Sequence, residues 1–89
     1  MNAIIDQHAA IEKAVTITVN TREERITSKK ISFDEVVSLA FGVPDYSTKA
    51  YTVTYSKGED KKPKGSLVQG DSVNVKDGMI FDVIRTDKS

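Results

Sequence analysis

The sequence offers few groups that react. Its 89 residues include one His, His8, and no Cys, which excludes thiol nucleophiles, Cys-based zinc sites, disulfide scaffolds and any chemistry that needs two imidazoles. Acid–base chemistry would fall to carboxylates, and three pairs present themselves: Glu23-Glu24, Asp34-Glu35 and Glu59-Asp60. Sequence neighbours do not face each other across a cleft, as a general acid and base must. The pairs therefore predict solvated charge or helix caps, with no catalytic residue, no metal ligand and no cofactor. The remaining reactive groups are lysine amines, among them Lys29, Lys30, Lys57, Lys61, Lys62 and Lys64, and a terminal carboxylate. Spacing selects none of the lysines as an acyl acceptor, and lysine in such polar stretches ordinarily serves solubility. The inventory points away from an enzyme.

Composition narrows the partners. Thirteen Lys plus Arg balance thirteen Asp plus Glu at zero formal net charge, so the field that draws proteins to nucleic acid or anionic lipid is missing. No apolar run approaches the roughly 20 residues of a membrane span, and the opening MNAIIDQHAA lacks the basic segment of a secretory signal. These features predict a cytoplasmic protein with neither nucleic acid nor membrane as partner. At this length one core is expected and a second is not.

The elements that would position any site follow from periodicity. Residues 1–14 hold Ile4, Ile5 and Ile11 at a weak helical spacing without a clear cap, and read as an extension outside the core, a flexible tail or a short helix. From Val15 the chain alternates, with Val15, Ile17 and Val19 on one side and Thr16, Thr18 and Asn20 on the other, which predicts a half-buried strand. The polar run Thr21 to Glu24 reads as the turn of a hairpin whose second strand is residues 25–30, with Ile26 inward. Ser32 and Glu35 form a capping box, flanked by Ile31 and Val36 as a hydrophobic staple, and they start a helix over 33–41. Asp34 and Glu35 complement the positive end of its dipole, and Gly42 with Pro44 stops it. Tyr51, Val53 and Tyr55 alternate with Thr52 and Thr54 as a third strand. Residues 57–66 make a polar loop, Leu67-Val68 a short edge strand, and Val73 and Val75 apolar pegs on an irregular segment. After the Asp77-Gly78 turn a last strand runs from Met79 to Arg85.

One helix between a hairpin and three later strands predicts an α+β fold in which a mixed sheet carries the helix on one face. The helix must cross the sheet, so the first and last strands pair in parallel at its centre, the β-grasp arrangement. The core would comprise Val15, Ile17, Val19, Ile26, Val36, Val37, Phe41, Val53, Leu67, Phe81 and Val83. If Phe81 and Val83 face the helix, Ile80, Asp82 and Ile84 face away beside Thr52 and Thr54. That open face is the candidate partner-binding surface.

The segments VTITVN, KISFDEVVSLAFGVP, YTVTYS and above all SVNVKDGMIFDVIR resemble the bacterial multiubiquitin-type domains of the ubiquitin superfamily over about residues 15–85. The last segment is the most specific, combining Val-x-Val, an Asp-Gly turn and a Met-Ile-Phe-Asp-Val strand. The resemblance implies a protein modifier from an operon associated with phage defence. Its partners would be an E1-like activating enzyme, an E2-like conjugating enzyme, a processing or deconjugating peptidase, and target proteins. It further implies a conjugation tail of Arg85, Thr86, Asp87, Lys88 and Ser89, with 86–89 flexible beyond the domain. Ubiquitin ends in Gly-Gly, whereas these residues read Arg-Thr-Asp-Lys-Ser, which leaves three alternatives: a peptidase trims the tail, the enzymes accept a bulkier end, or the domain acts as an adaptor without being conjugated.

Overall fold

The computed structural model describes residues 14–88. The expected extension, apart from Ala14, and the end of the expected tail at Ser89 lie outside them. The element order is β1 Val15–Val19, β2 Arg22–Ile26, β3 Lys30–Ser32, α1 Phe33–Phe41, β4 Lys49–Ser56, β5 Gly65–Leu67, β6 Ser72–Asn74 and β7 Ile80–Asp87. Five strands form one sheet in the order β2-β1-β7-β4-β5, and β3 pairs with β6 in a small second sheet. β1 and β7 lie side by side in parallel, with Thr18 opposite Ile80 and Val19 opposite Phe81, while β4 pairs antiparallel with β7. This is the α+β, β-grasp arrangement that the element order predicts.

The helix forms where its caps place it. The backbone N–H of Glu35 donates to Ser32 Oγ at 3.1 Å, and the N–H of Ser32 donates to Glu35 Oε1 at 2.8 Å, which satisfies two donors that a helix start otherwise leaves bare. At the other end the Gly42 N–H reaches Ser38 O at 2.8 Å. Gly42 takes φ 85°, ψ −159°, a region closed to residues that carry a Cβ. Val36 and Val37 are fully buried against the sheet.

The first hairpin departs from the reading at its turn. Only Asn20 and Thr21 form the loop, at φ 50° and 71°, so that Val19 opposes Arg22 and Val15 opposes Ile26. A two-residue turn with both φ positive matches the right-handed twist of the strands. Arg22 to Glu24, expected in the turn, are therefore strand. The expected second strand at 25–30 divides into the end of β2 and the start of β3. β2 is polar because it is an edge with water beside it, so burial leaves no alternation there to read. Val73 lies in β6 opposite Ile31, a ladder too short to show a period.

The core closes around Ile17, Val19, Val36, Val37, Val53, Met79 and Phe81, all essentially inaccessible, with Ile31, Phe33, Tyr55, Leu67 and Val83 nearly so. Val15 and Ile26 are partly buried at its margin. Phe41 is a correction: at 37% exposure it lies outside the core, because the helix ends there and its ring rests under a side chain from β7 instead. Met79 enters the core just before β7, where the chain docks on β1: Asp77 Oδ1 accepts from the Thr16 N–H at 2.8 Å, Gly78 N–H donates to Thr16 O at 2.8 Å, and Thr18 N–H donates to Met79 O at 2.9 Å.

Candidate functional site

Alternation along β4 and β7 sorts the candidate residues by face. Val53 and Tyr55 of β4, and Phe81 and Val83 of β7, turn toward the helix and are buried, so their neighbours turn away. Thr52 stands opposite Ile84, Thr54 opposite Asp82 and Ser56 opposite Ile80. All five expected partner-face residues, Thr52, Thr54, Ile80, Asp82 and Ile84, thus share the sheet face without a helix. Ile84 is 60% exposed and Ile80 is half-buried. Threonine and serine surround them, so the face is a small apolar spot in a hydroxyl-rich field.

The expected tail begins within the sheet. β7 runs to Asp87, with Thr86 paired to Ala50 and Asp87 to Lys49, so the strand passes the Arg85 boundary by two residues. The Arg85 guanidinium covers the Phe41 ring at 4.7 Å from its centroid, an attraction between a cation and the negative face of the ring. Lys49 Nζ pairs with the Asp87 carboxylate, which its hydrogen bond and charge hold below the ordinary carboxylate range. The Lys88 N–H donates to Thr48 O at 2.9 Å, and its ammonium reaches Tyr46 O. Of the candidate tail residues, Arg85 to Lys88 are therefore docked along β4 and the loop before it.

That loop is itself ordered by local chemistry. Asp45 accepts from the Ser47 N–H and hydroxyl at 3.1 and 2.6 Å and from the Thr48 hydroxyl at 2.9 Å, bonds that favour the carboxylate and lower its pKa. Tyr46 meets Tyr51 edge to face at 5.7 Å and Phe33 at 6.2 Å, and its hydroxyl donates to Asp34 Oδ1. Loss of solvent, then the Asp34 hydrogen bond and charge, raise its pKa from 10.0 to about 12. The folded chain thus keeps a proton that the unfolded chain releases near pH 10, so this contribution to stability is whole below pH 10 and vanishes as the pH climbs to about 12. The melting temperature of Tyr46→Phe, followed across that interval, is expected to fall less steeply than that of the parent.

Phe41, Tyr46, Lys49 and Thr48 were invisible as partners of the final residues. Only the register of β4 against β7 brings them together, and no spacing in the sequence encodes it.

The carboxylate pairs show no catalytic arrangement. Glu35 caps the helix and Asp34 holds Tyr46, while Glu59 accepts from Asn74 Nδ2 at 3.1 Å and Asp60 meets Lys76 at 3.4 Å. Glu23 and Glu24 alternate between the two faces of β2. Among the described residues no three His, Asp or Glu side chains gather to hold a metal ion. Nor is any described helix long and apolar enough to cross a membrane.

Residues 15–87 match the model of the Multiubiquitin family. The chain belongs to the Multiubiquitin family. The match begins with β1 and ends with the last residue of β7, so the whole β-grasp body of this Multiubiquitin domain is covered. No curated protein and no solved structure matches the chain. A ubiquitin-like domain is generally a non-enzymatic protein module.

Proposed function

We propose that this Multiubiquitin domain is a ubiquitin-like protein modifier of a bacterial conjugation pathway, activated at a C-terminal carboxylate after trimming of residues beyond the strand. The observation that supports the reading is the family match over residues 15–87, which ends with the last residue of β7; trimming there would leave the reacting carboxylate on Asp87, at the end of a rigid head. An E1-like enzyme would join the carboxylate oxygen to the α-phosphorus of ATP with loss of pyrophosphate. An enzyme nucleophile would then take the acyl group as AMP leaves, and an E2-like enzyme would pass it to a target amine, forming an amide. The domain supplies docking surface and acyl group; its enzymes supply the catalysis. Defence against phage is the setting that the family resemblance implies.

Docking of Arg85 to Lys88 on the head favours a second reading, in which the domain is an adaptor that binds partners through Ile80, Ile84 and their neighbours without conjugation. One experiment separates the two. The protein is mixed with ATP and the E1-like and E2-like proteins that the modifier reading assigns to it, and intact masses are recorded. A modifier is expected to give an ATP-dependent covalent adduct through its carboxyl end. An adaptor is expected to give no mass shift, and to bind a partner in a manner lost in Ile84→Asp and retained when residues 86–89 are removed.

A further inference from the structure

The sheet ends at β2, which has β1 as its one strand neighbour among the described residues. Thr16, Thr18 and Asn20 turn their N–H groups toward the β7 side, to Asp77 Oδ1, Met79 O and Phe81 O at 2.8, 2.9 and 3.1 Å. Val15, Ile17 and Val19 therefore exchange the hairpin bonds with Ile26, Glu24 and Arg22. Glu23 and Arg25, opposite Thr18 and Thr16, are left with N–H and C=O groups directed out of the sheet. Both side chains are exposed, both stand on the face away from the helix, and their charges are opposite.

This edge is complementary to itself. We infer that β2 is a homodimerisation edge, on which a second copy of the chain pairs antiparallel about a two-fold axis at Glu24. In that register Glu23 lies opposite Arg25 of the second copy, and Arg25 opposite its Glu23. All four residues carry outward backbone groups, so the two pairs exchange four hydrogen bonds, and each pair joins opposite charges on the open face. A slip of two residues replaces the two Glu23–Arg25 pairs of the open face by a single hydrogen-bonded pair within the strands, Glu23 with Glu23 or Arg25 with Arg25, of like charge. A slip of one sets an outward-directed residue against an inward-directed one and turns the open faces to opposite sides. On the helix side the two copies of Glu24 stand directly opposite each other across the axis, a like-charge pair that offsets part of the gain from the two open-face pairs. Zero net charge removes long-range repulsion between copies. The product is a continuous ten-stranded sheet with both helices on one face and both Ile84 side chains on the other.

An edge pairing covers less surface than a stable interface needs, so the dimer is expected at about 1 mM and the monomer at about 10 µM. Sedimentation of the full chain over that range reads the equilibrium, and hydrogen exchange at the Glu23 and Arg25 amides reads the place. Glu23→Arg and Arg25→Glu are each expected to weaken association about tenfold or more, and the double exchange E23R/R25E to restore it. Arg25→Pro removes an outward N–H that the monomer leaves unpaired; with an unchanged circular dichroism spectrum it is expected to be monomeric throughout. A monomer at every concentration, amides at 23 and 25 that gain no protection, or association that ignores the charge exchanges overturns the inference.

Discussion

Phe81→Ala is expected to lower the unfolding free energy by about 3–5 kcal/mol, the usual cost of emptying a buried phenylalanine site. The side chain is completely inaccessible. It sits on the central strand opposite Val19 on one side and Tyr55 on the other, with its ring 6.1 Å from that of Tyr55. Neighbours on both flanking strands and a helix above cannot all move in to fill the void. A domain of this size buries only about 60% of the surface its unfolded chain exposes, and total stabilities run from about 5 kcal/mol upward. At a parent stability of about 5 kcal/mol the alanine variant keeps about 0–2 kcal/mol and is expected to unfold at low urea, whereas Phe81→Leu, closer in volume, is expected to lose about 1.5 kcal/mol or less. Urea titration by circular dichroism checks both. A fully cooperative, near-parent transition for the alanine variant would place the core elsewhere.

Asn20→Ala is expected to cost about 2–4 kcal/mol, from two separable sources. β1 ends at Val19, yet β7 continues past it, and the Asn20 side chain carries on the ladder: its Oδ1 accepts from the Val83 N–H at 2.8 Å and its Nδ2 donates to Val83 O at 3.1 Å. Alanine leaves the N–H of the nearly buried Val83 without its partner, at about 1–3 kcal/mol. It also puts alanine, which tolerates the left-handed region less well than asparagine, at φ 50°, for about another 1 kcal/mol. Asn20→Gly relieves the second cost and keeps the first, so glycine is expected to fall between parent and alanine. Urea midpoints give the order, and faster hydrogen exchange at the Val83 amide locates the lost bond.

What could be read from the chain depended on how much of each element is buried. The helix was legible to the residue because Ser32, Glu35 and Gly42 mark its ends by chemistry that operates within one turn. β1, β4 and the body of β7 were legible because one face of each is buried and the other is wet, which writes period two into the sequence. β2 and β6 were not, since an edge strand and a three-residue ladder bury too little to impose a period. Asn20 read as an ordinary polar position of β1, although it makes a turn and a side-chain extension of the ladder at once. The open face could be assembled from parity alone, which placed Ile80, Asp82 and Ile84 beside Thr52 and Thr54. The docking of Arg85, Asp87 and Lys88 could not, because it depends on where β4 begins relative to the end of β7.

The parallel pairing of β1 with β7 also sets the order in which the chain can become a protein. The two strands at the centre of the sheet come from opposite ends of the domain, and loop closure of that span must precede the contacts that reward it. Before β7 exists, β1 has its outer bonds to Asp77, Gly78, Met79 and Phe81 unmade, and Val36 and Val37 lack the Phe81 and Val83 floor beneath them. A nascent chain that has emerged only through β5 therefore holds the β1-β2 and β4-β5 pairs and a helix, without the strand that joins the two pairs into one sheet. Folding waits until residues through Asp87 are clear of the ribosome, and until then Ile17, Val19 and Val53 are exposed to whatever else is in solution.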